Sequence, residues 1–573
     1  MQPIALYYDQ SGYVETTLTS KSGTSHGPAG LMGREVAGKE FLDALLRHGT
    51  WTELPALTTG ETAKQSLAQL CREHPSSAKR SRRLRFFDAA RFHDEFLAQP
   101  PASVLHFPNL ADPSYAWARQ TAPPHRLAFS GVTHTLCSAR AIQLLRGLVT
   151  DPWEEYDRLI CTSSAVRQMV QTVAQTFADY LRDRHGGDPR PRIGLETIPL
   201  GVNTERFRPA TAVERTTFRH TLGIAADEIV ILFVGRMSHH AKAHPFPMFR
   251  AAAIAAERTG KRIRLLMCGW SPSDAVAAAF RNAANAVAMN VTVDFIDGLD
   301  SSLRFGVWKA ADIFMSLVDN IQETFGLVVV EAMASGLPVI ASDWNGYRDL
   351  VAHGDSGFLI PTWSMADTLP DLTSRLLLNE INYDHFLARA TQTVTVSSDD
   401  TASALIQLCE NEDLRRKMGD AGRERSVSVF DWSHVIRNYE TMWNDQNRQR
   451  EASFETATKT TALPFPAAYP PLDVTFHGYP TKWLDDNAAV VAAADAVRQL
   501  DLLLTLDLMT HEAETRSADR SILETLLHVA TAATTVGRLA ESLQQSGVRD
   551  DQVRATLAWL LKYDLLVPVD EAD

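Results

Sequence analysis

Residues 322–347 read QETFGLVVVEAMASGLPVIASDWNGY. Glu323 is followed by Thr-Phe-Gly-Leu, and a helical pattern spans 327–335. The stretch therefore predicts a loop that turns at Gly326 into a helix holding Glu331 in its first turns. Seven residues separate Glu323 from Glu331, which puts the two carboxylates on either side of a helix N-terminus. The amides after Gly326 attract an anion such as a diphosphate, and each carboxylate accepts hydrogen bonds from hydroxyls, so the arrangement suits a sugar nucleotide. Asp343, Trp344, Gly346 and Tyr347 follow a buried strand, in a loop that either lines the same pocket or contributes its aromatics to packing, the second reading being preferred.

Outward from this stretch, from about residue 100 onward, short β-rich apolar runs alternate with helical patterns, as in parallel-sheet α/β domains. Strands are predicted at 103–107, 158–162, 229–234, 264–268, 291–296, 313–317 and 339–342, and helices at 164–182, 246–259 and 273–288. The periodicity restarts after IPLGVNTERFRP (198–209), which places a boundary near 205 between an N-terminal domain, 1–205, and a second, 206–450. Two facing sheets imply a cleft, and such folds bind ligands beyond the carboxyl ends of their strands. Residues 431–444, with Trp432, Val435, Ile436, Tyr439, Met442 and Trp443, have the spacing of an amphipathic helix closing the second domain. The proline-containing segment 451–482 reads as a linker.

The 322–347 segment resembles the Glu-x7-Glu signature of the retaining glycosyltransferases of family 4 (glycosyl transferases group 1). LFVGR, ending at Arg236, with Lys242 beyond it, is similar to that family's Gly-Arg and Lys pair. The segment 198–209 resembles its P-x-G-V-x-x-x-x-F linker, and DLRRKMGDAGRER (413–425) with Asp431-Trp432-Ser433 resembles its C-terminal helices, so the likeness covers roughly residues 100–445. It implies an α/β chain with the GT-B fold, two Rossmann-like domains facing a cleft, the first holding the acceptor and the second the nucleotide sugar.

Breaking a glycosyl–phosphate bond builds negative charge on the leaving diphosphate, which a fixed Arg and Lys stabilise. The resemblance gives that role to Arg236 and Lys242. The intervening loop MSHHAKAHP departs from the family's spacing, so His239, His240 or His244 remain alternatives that share the task. By the same resemblance Glu331 holds the ribose hydroxyls, and Glu323 binds hydroxyls of the transferred sugar without acting as a covalent nucleophile, unlike the carboxylate of a retaining glycosidase. The amides of Phe325, Gly326 and Leu327 meet phosphate or sugar, and Asp319, Asn320 and Gln322 add donor contacts. His134, in GVTHTL, resembles the histidine that steadies the transferred sugar, and His106, in LHFPN, is assigned to the acceptor side. Gly30 and Gly33, in SHGPAGLMGREVAG, look like the glycine-rich first loop near the donor phosphates. The sequence has no Asp-x-Asp pair of the kind that GT-A enzymes use for a metal–diphosphate, so neither a metal nor a cofactor beyond the nucleotide sugar is expected; UDP-sugars come first as donors and GDP-sugars second.

The net charge of −13 argues against nucleic-acid affinity spread over the whole surface. Five scattered cysteines without a Cys-x-x-Cys pair suit a reducing cytosol, and no basic start followed by an apolar run reads as a signal peptide. The run KRSRRLRFFDAARF (79–92) reads as an edge strand or surface loop, or as a patch for an anionic bilayer at the inner face of a membrane. Residues 483–573 form a mainly helical module, with helices at 488–508, 520–530, 536–545 and 550–563 before a short LLVPV run, a winged-helix-like order. Its 7 Lys and Arg against 16 Asp and Glu make DNA a poor partner. Oligomerisation, a protein partner, or selection of a peptide or protein acceptor suits it better. Glycans and lipid-linked hydroxyls are the other acceptors. The competing reading is a GT-B-like binding or assembly subunit with weak or no catalysis.

Overall fold

The computed structural model describes residues 4–13, 33–74, 83–123, 126–365, 369–456, 465–506 and 519–569. Ile229–Val234, IVILFV, is apolar at six successive positions, so both of its faces require cover. It lies inside a six-stranded sheet of β8 (Ile229–Val234), β9 (Ile263–Gly269), β10 (Thr292–Asp297), β11 (Ile313–Ser316), β12 (Val339–Ser342) and β13 (Gly357–Ile360), in the order β10-β9-β8-β11-β12-β13. Every pairing in it is parallel. Alternate residues separate to two cores: Ile231, Phe233, Leu265 and Met267 pack on one face, and Val230, Leu232, Leu266 and Cys268 on the other.

The N-terminal half repeats this plan with seven parallel strands: β1 (Ile4–Tyr8), β2 (Glu53–Thr58), β3 (Arg83–Asp88), β4 (Val104–His106), β5 (Ala128–Val132), β6 (Arg158–Cys161) and β7 (Gly194–Thr197). Their order is β3-β2-β1-β4-β5-β6-β7. Both sheets change winding direction beside their first strand, at β1/β4 and at β8/β11, and a ligand crevice belongs beyond the carboxyl ends of strands at such a point. Together these are two Rossmann-like halves, as expected. Of the described part of the basic run, Arg83–Asp88 form the edge strand β3, and Ala89–Arg91 and Phe92 continue in short helical turns.

Two helical expectations change. Trp432–Thr456 is one helix, and Trp432, Val435, Ile436, Tyr439, Met442 and Trp443 pack with Ile4, Leu6 and Val104 of the first sheet and with Phe41 of the Gly33–His48 helix. The helix therefore does not close the second domain: its aromatic stripe has the right period, but amphipathicity alone cannot name the sheet that receives it. It also carries the chain through residues 451–456, where a linker was expected. The outgoing and returning crossovers touch, since Val202 N donates to Phe430 O (2.8 Å), Trp432 N donates to Val202 O (3.3 Å), and a Cβ on Gly201 would meet the Trp432 ring at 2.2 Å.

Pro470–Asp573 is a separate compact unit. Its helices Arg520–Val529, Val536–Gln545 and Asp550–Lys562 pack against a small antiparallel sheet. The chain first forms the hairpin strands β14 (Thr362–Ser364) and β15 (Val394–Val396); the small sheet then consists of β16 (Ala489–Ala492), β17 (Thr534–Thr535) and β18 (Leu566–Pro568). Residues 489–492 were expected to be helical; alanines favour helix locally, but pairing on both sides of Val490 makes this segment the central strand. Among the described residues no helix is long and apolar enough to cross a membrane.

Candidate active site

At the β8/β11 switch point the exits of three strands converge. Gly235 follows β8 with φ 157°, and a Cβ on Gly269, at the end of β9, would sit 1.8 Å from Gly235 O. Only glycine at 269 lets the two strand exits approach so closely. The chain then presents Arg236, whose Nη2 donates to Gln322 Oε1 (3.0 Å) and Ala241 O (3.3 Å). Both acceptors are neutral, so these bonds do not themselves neutralise the guanidinium beside the cavity.

Lys242 is in a different situation. Its Nζ lies 2.6 Å from Glu323 Oε2, with 19% and 15% of the two side chains exposed. The other carboxylate oxygen, Oε1, accepts from the amides of Thr324 (3.2 Å) and Phe325 (3.4 Å). Burial raises the Glu323 pKa, but Lys242 and the two amides outweigh it and hold the group below its usual value. Asn320 braces the pair by donating its Nδ2 to Lys242 O, and Trp344 Nε1 donates to Asn320 O (2.8 Å).

The turn into the helix follows at Gly326, at φ 107°, and Leu327–Ala334 begins with its first amides at the cavity wall. Glu331, one turn on, is 7% exposed. Burial, reinforced by the nearby Glu40 carboxylate and opposed by Arg304 and Arg206, pushes its pKa up to about 8. Glu40 itself, on the Gly33–His48 helix of the first half, is raised by burial against the pull of Arg206, whose guanidinium lies 3.6 Å away.

One cavity of about 290 Å³ is lined by Arg236, Lys242, Gln322, Glu323 and Glu331, by Phe325, Gly326 and Leu327 at the helix start, and by His134 from the first half. Ten of the sequence-predicted residues, Asn320 among them, thus share a single space. His134 follows β5, and its Nε2 donates to Pro108 O (2.9 Å), which fixes the ring. Asn320 lines the same wall.

The remaining candidates lie elsewhere. His106 is not on the acceptor side of the cleft: it is 1% exposed, its Nδ1 lies 2.9 Å from Ser130 Oγ, and Phe41, Tyr439 and Trp443 surround its ring. Burial drives its pKa down to about 3, so it is a neutral core residue beneath the Trp432–Thr456 helix. Asp319 supports the site from inside; it is 5% exposed, absent from the cavity wall, and accepts from His244 N (3.4 Å) through Oδ2. Gly33 opens the Gly33–His48 helix, whose Val36 reaches the cavity, and Gly30 lies outside the described residues. His239 and His240 contact each other edge to face, and none of His239, His240 and His244 lines the cavity.

Sequence reading missed the far wall, formed by Trp270, Gly298, Arg304, Phe305 and Trp308. Trp270 follows β9 and Gly298 follows β10. The switch-point rule was the available signal, because it names those strand exits even where no motif marks them. Trp270 lies under the Arg236 guanidinium (5.9 Å to the ring centre), and Phe305 under Arg206 (5.3 Å) and Arg304 (5.4 Å).

Residues 214–393 match the family described as glycosyl transferases group 1. The chain is 28% identical over 285 residues to a D-inositol 3-phosphate glycosyltransferase of Corynebacterium aurimucosum, covering 47% of this chain and 66% of that one. The same-named protein of Geodermatophilus obscurus is 32% identical over 254 residues, covering 43% and 54%. The chain thus spans between about half and two thirds of the length of these curated relatives. A solved glycosyltransferase of Rickettsia africae overlays 78% of this chain and 98% of its own, at 14% identity and a TM-score of 0.49. With the paired carboxylates, the Arg–Lys loop and the parallel sheet in place, residues 214–393 resemble a glycosyl transferases group 1 domain.

Proposed function

We propose that the chain is a retaining glycosyltransferase that moves a sugar from a nucleotide-sugar donor, UDP-linked before GDP-linked, to a hydroxyl acceptor without a metal. The observation that carries this is the buried Glu323–Lys242 pair, held in the same cavity as Arg236, Glu331 and His134. Arg236 and Lys242 meet the diphosphate, the helix amides after Gly326 add to them, and Glu323 accepts from hydroxyls of the sugar. The bond between the anomeric carbon and the diphosphate oxygen breaks, its electron pair leaving with the diphosphate. The acceptor oxygen bonds to the same face of the carbon, and its proton passes to the departing phosphate oxygen. The relatives' name supports glycosyl transfer to a hydroxyl. The acidic module at 483–573 is proposed to engage a partner or the acceptor.

Nucleoside-diphosphate release from a panel of UDP- and GDP-sugars, without acceptor, tests the reading. One donor is expected to be hydrolysed slowly by the wild-type protein. Arg236→Ala should cut that rate about a hundredfold, the usual scale for removing one donor to a developing anion. Silence across the panel, with no donor binding by thermal shift, would replace this reading with the assembly-subunit one.

Glu331 adds a pH signature. Its raised pKa leaves it largely protonated at pH 6.5 in the free protein, whereas accepting from two ribose hydroxyls favours the carboxylate. Donor binding should release close to one proton at pH 6.5 and tighten up to tenfold per unit until the pH passes about 8. Calorimetry in buffers of different ionisation enthalpy reads this directly. Glu331→Gln should flatten the profile, and a wild-type profile that is already flat would remove Glu331 from the ribose.

A further inference from the structure

A second cavity, of about 330 Å³, lies against the same loop that carries Glu323. Glu323 and Thr324 line both spaces, so the two adjoin at this loop. Their chemistry differs. Where the donor cavity presents Arg236, Lys242 and Gln322, the second is walled by Leu136 and Met169 of the first half, Ile321 and Trp344 of the second, and Leu376 and Phe386 of the helical hairpin between β14 and β15. Apart from Glu323, Thr324, Asn345 and Thr373, its lining side chains are apolar or, at Cys137, a buried thiol.

The walls are tied together. Tyr383, on the hairpin, places its hydroxyl 3.1 Å from Cys137 Sγ on the first half and accepts from Gln322 Nε2 (3.2 Å) on the second. Gln322 in turn accepts from Arg236, so the hairpin, both halves and the diphosphate-facing guanidinium form one bonded chain. The mouth is open at Ile321 and Leu377, which are 36% and 40% exposed. A space of this size and lining suits a ligand rather than water, which would find few partners, or a free sugar, whose hydroxyls would go unpaired.

Resting on the glycosyltransferase reading above, we propose that this cavity holds an apolar aglycone of the acceptor. An aromatic or alkyl group lies among Leu136, Met169, Ile321, Leu376 and Phe386, and the hydroxyl-bearing part attached to it projects past Thr324 to Glu323. The junction then sets the acceptor hydroxyl against the transferred sugar, while burial of the apolar group supplies affinity.

The test compares 4-nitrophenyl β-D-glucoside with methyl β-D-glucoside, two acceptor probes that differ only in the aglycone, by calorimetry on the full chain. The nitrophenyl glucoside is expected to bind at least tenfold tighter. Thr373→Trp, which fills the cavity from an exposed position, and Leu377→Asp, which charges its mouth, should each remove that advantage with thermal unfolding unchanged. Equal affinity of the two glucosides, or an advantage that survives in both variants, would overturn the proposal. Donor hydrolysis by the wild-type protein without acceptor is read separately. Its absence, together with no donor binding by thermal shift, would sink the glycosyltransferase reading while leaving the aglycone preference measurable, and its presence with no preference would sink only the apolar acceptor pocket.

Discussion

Glu323→Ala should lower nucleoside-diphosphate release at least a thousandfold and lower thermal stability with it. The first effect follows from the site: Glu323 is the carboxylate that faces the sugar in the proposed reaction, and it also holds Lys242 in place through a 2.6 Å contact. Losing three orders of magnitude corresponds to about 4 kcal/mol of transition-state stabilisation. The second effect follows from burial, because a lysine stripped of its partner stays in a largely buried site, with 19% of its side chain exposed. Breaking a buried pair from one side costs about 3–5 kcal/mol, whereas replacing both partners by apolar groups of similar size is often neutral. Lys242→Met combined with Glu323→Leu should therefore recover most of the lost stability and none of the activity. Thermal unfolding and diphosphate release on the three proteins separate the two roles. Full activity in Glu323→Ala would remove Glu323 from the chemistry. If the double variant unfolds as early as the single one, the pair's contribution lies elsewhere than in mutual neutralisation.

Much of this site could be read from the sequence because its chemistry is local. Glu323, Gly326 and Glu331 belong to one loop and helix, and Arg236 and Lys242 to one strand exit; short-range spacing fixes such groups. The buried strands were equally legible: 229–234 and 339–342 coincide with β8 and β12, since a parallel strand covered on both faces must be continuously apolar. His134 was legible through its position after a strand.

What was hidden depends on residues far apart in the chain. His106 ends a strand just as His134 follows one, and nothing nearby in sequence separates them. Trp443 and Tyr439, hundreds of residues later, close over His106 and make it core. The same long-range step sends the Trp432–Thr456 helix back to the first sheet. Arg304 and Trp308 reach the cavity because their helix and the strands beside it are neighbours in space, and no motif along the chain announces that. Asp319 sits in the same loop as Gln322 and Glu323, yet the loop's path turns it inward toward the His244 amide. Spacing names the loop, and only the fold says which of its side chains face the ligand.

Gly326→Ala is expected to destabilise the turn into the helix strongly. Two separate terms act there. The φ of 107° is a conformation that side chains other than glycine rarely adopt, worth about 1–2 kcal/mol. The added Cβ would also lie 2.2 Å from Tyr347 Cε1 and 2.5 Å from its Cδ1. Tyr347 has no room to retreat, for it is fully buried and its hydroxyl is 2.9 Å from Ser316 Oγ; its neighbour Gly346 abuts Thr324 O, which a Cβ there would meet at 2.5 Å. Overpacking of this kind adds about 1–3 kcal/mol. Gly354→Ala isolates the first term, since Gly354 also has a positive φ, 81°, but nothing lies within 4 Å of its would-be Cβ. Thermal unfolding should show Gly326→Ala falling by at least about 5 °C, and well below Gly354→Ala. The helix amides that follow Gly326 line the donor cavity, so this variant should also bind its nucleotide sugar more weakly, while Gly354→Ala binds as the wild type does. Equal melting of the two variants would mean that Tyr347 yields to the methyl group, and that the turn into the helix tolerates movement that the proposed chemistry does not allow.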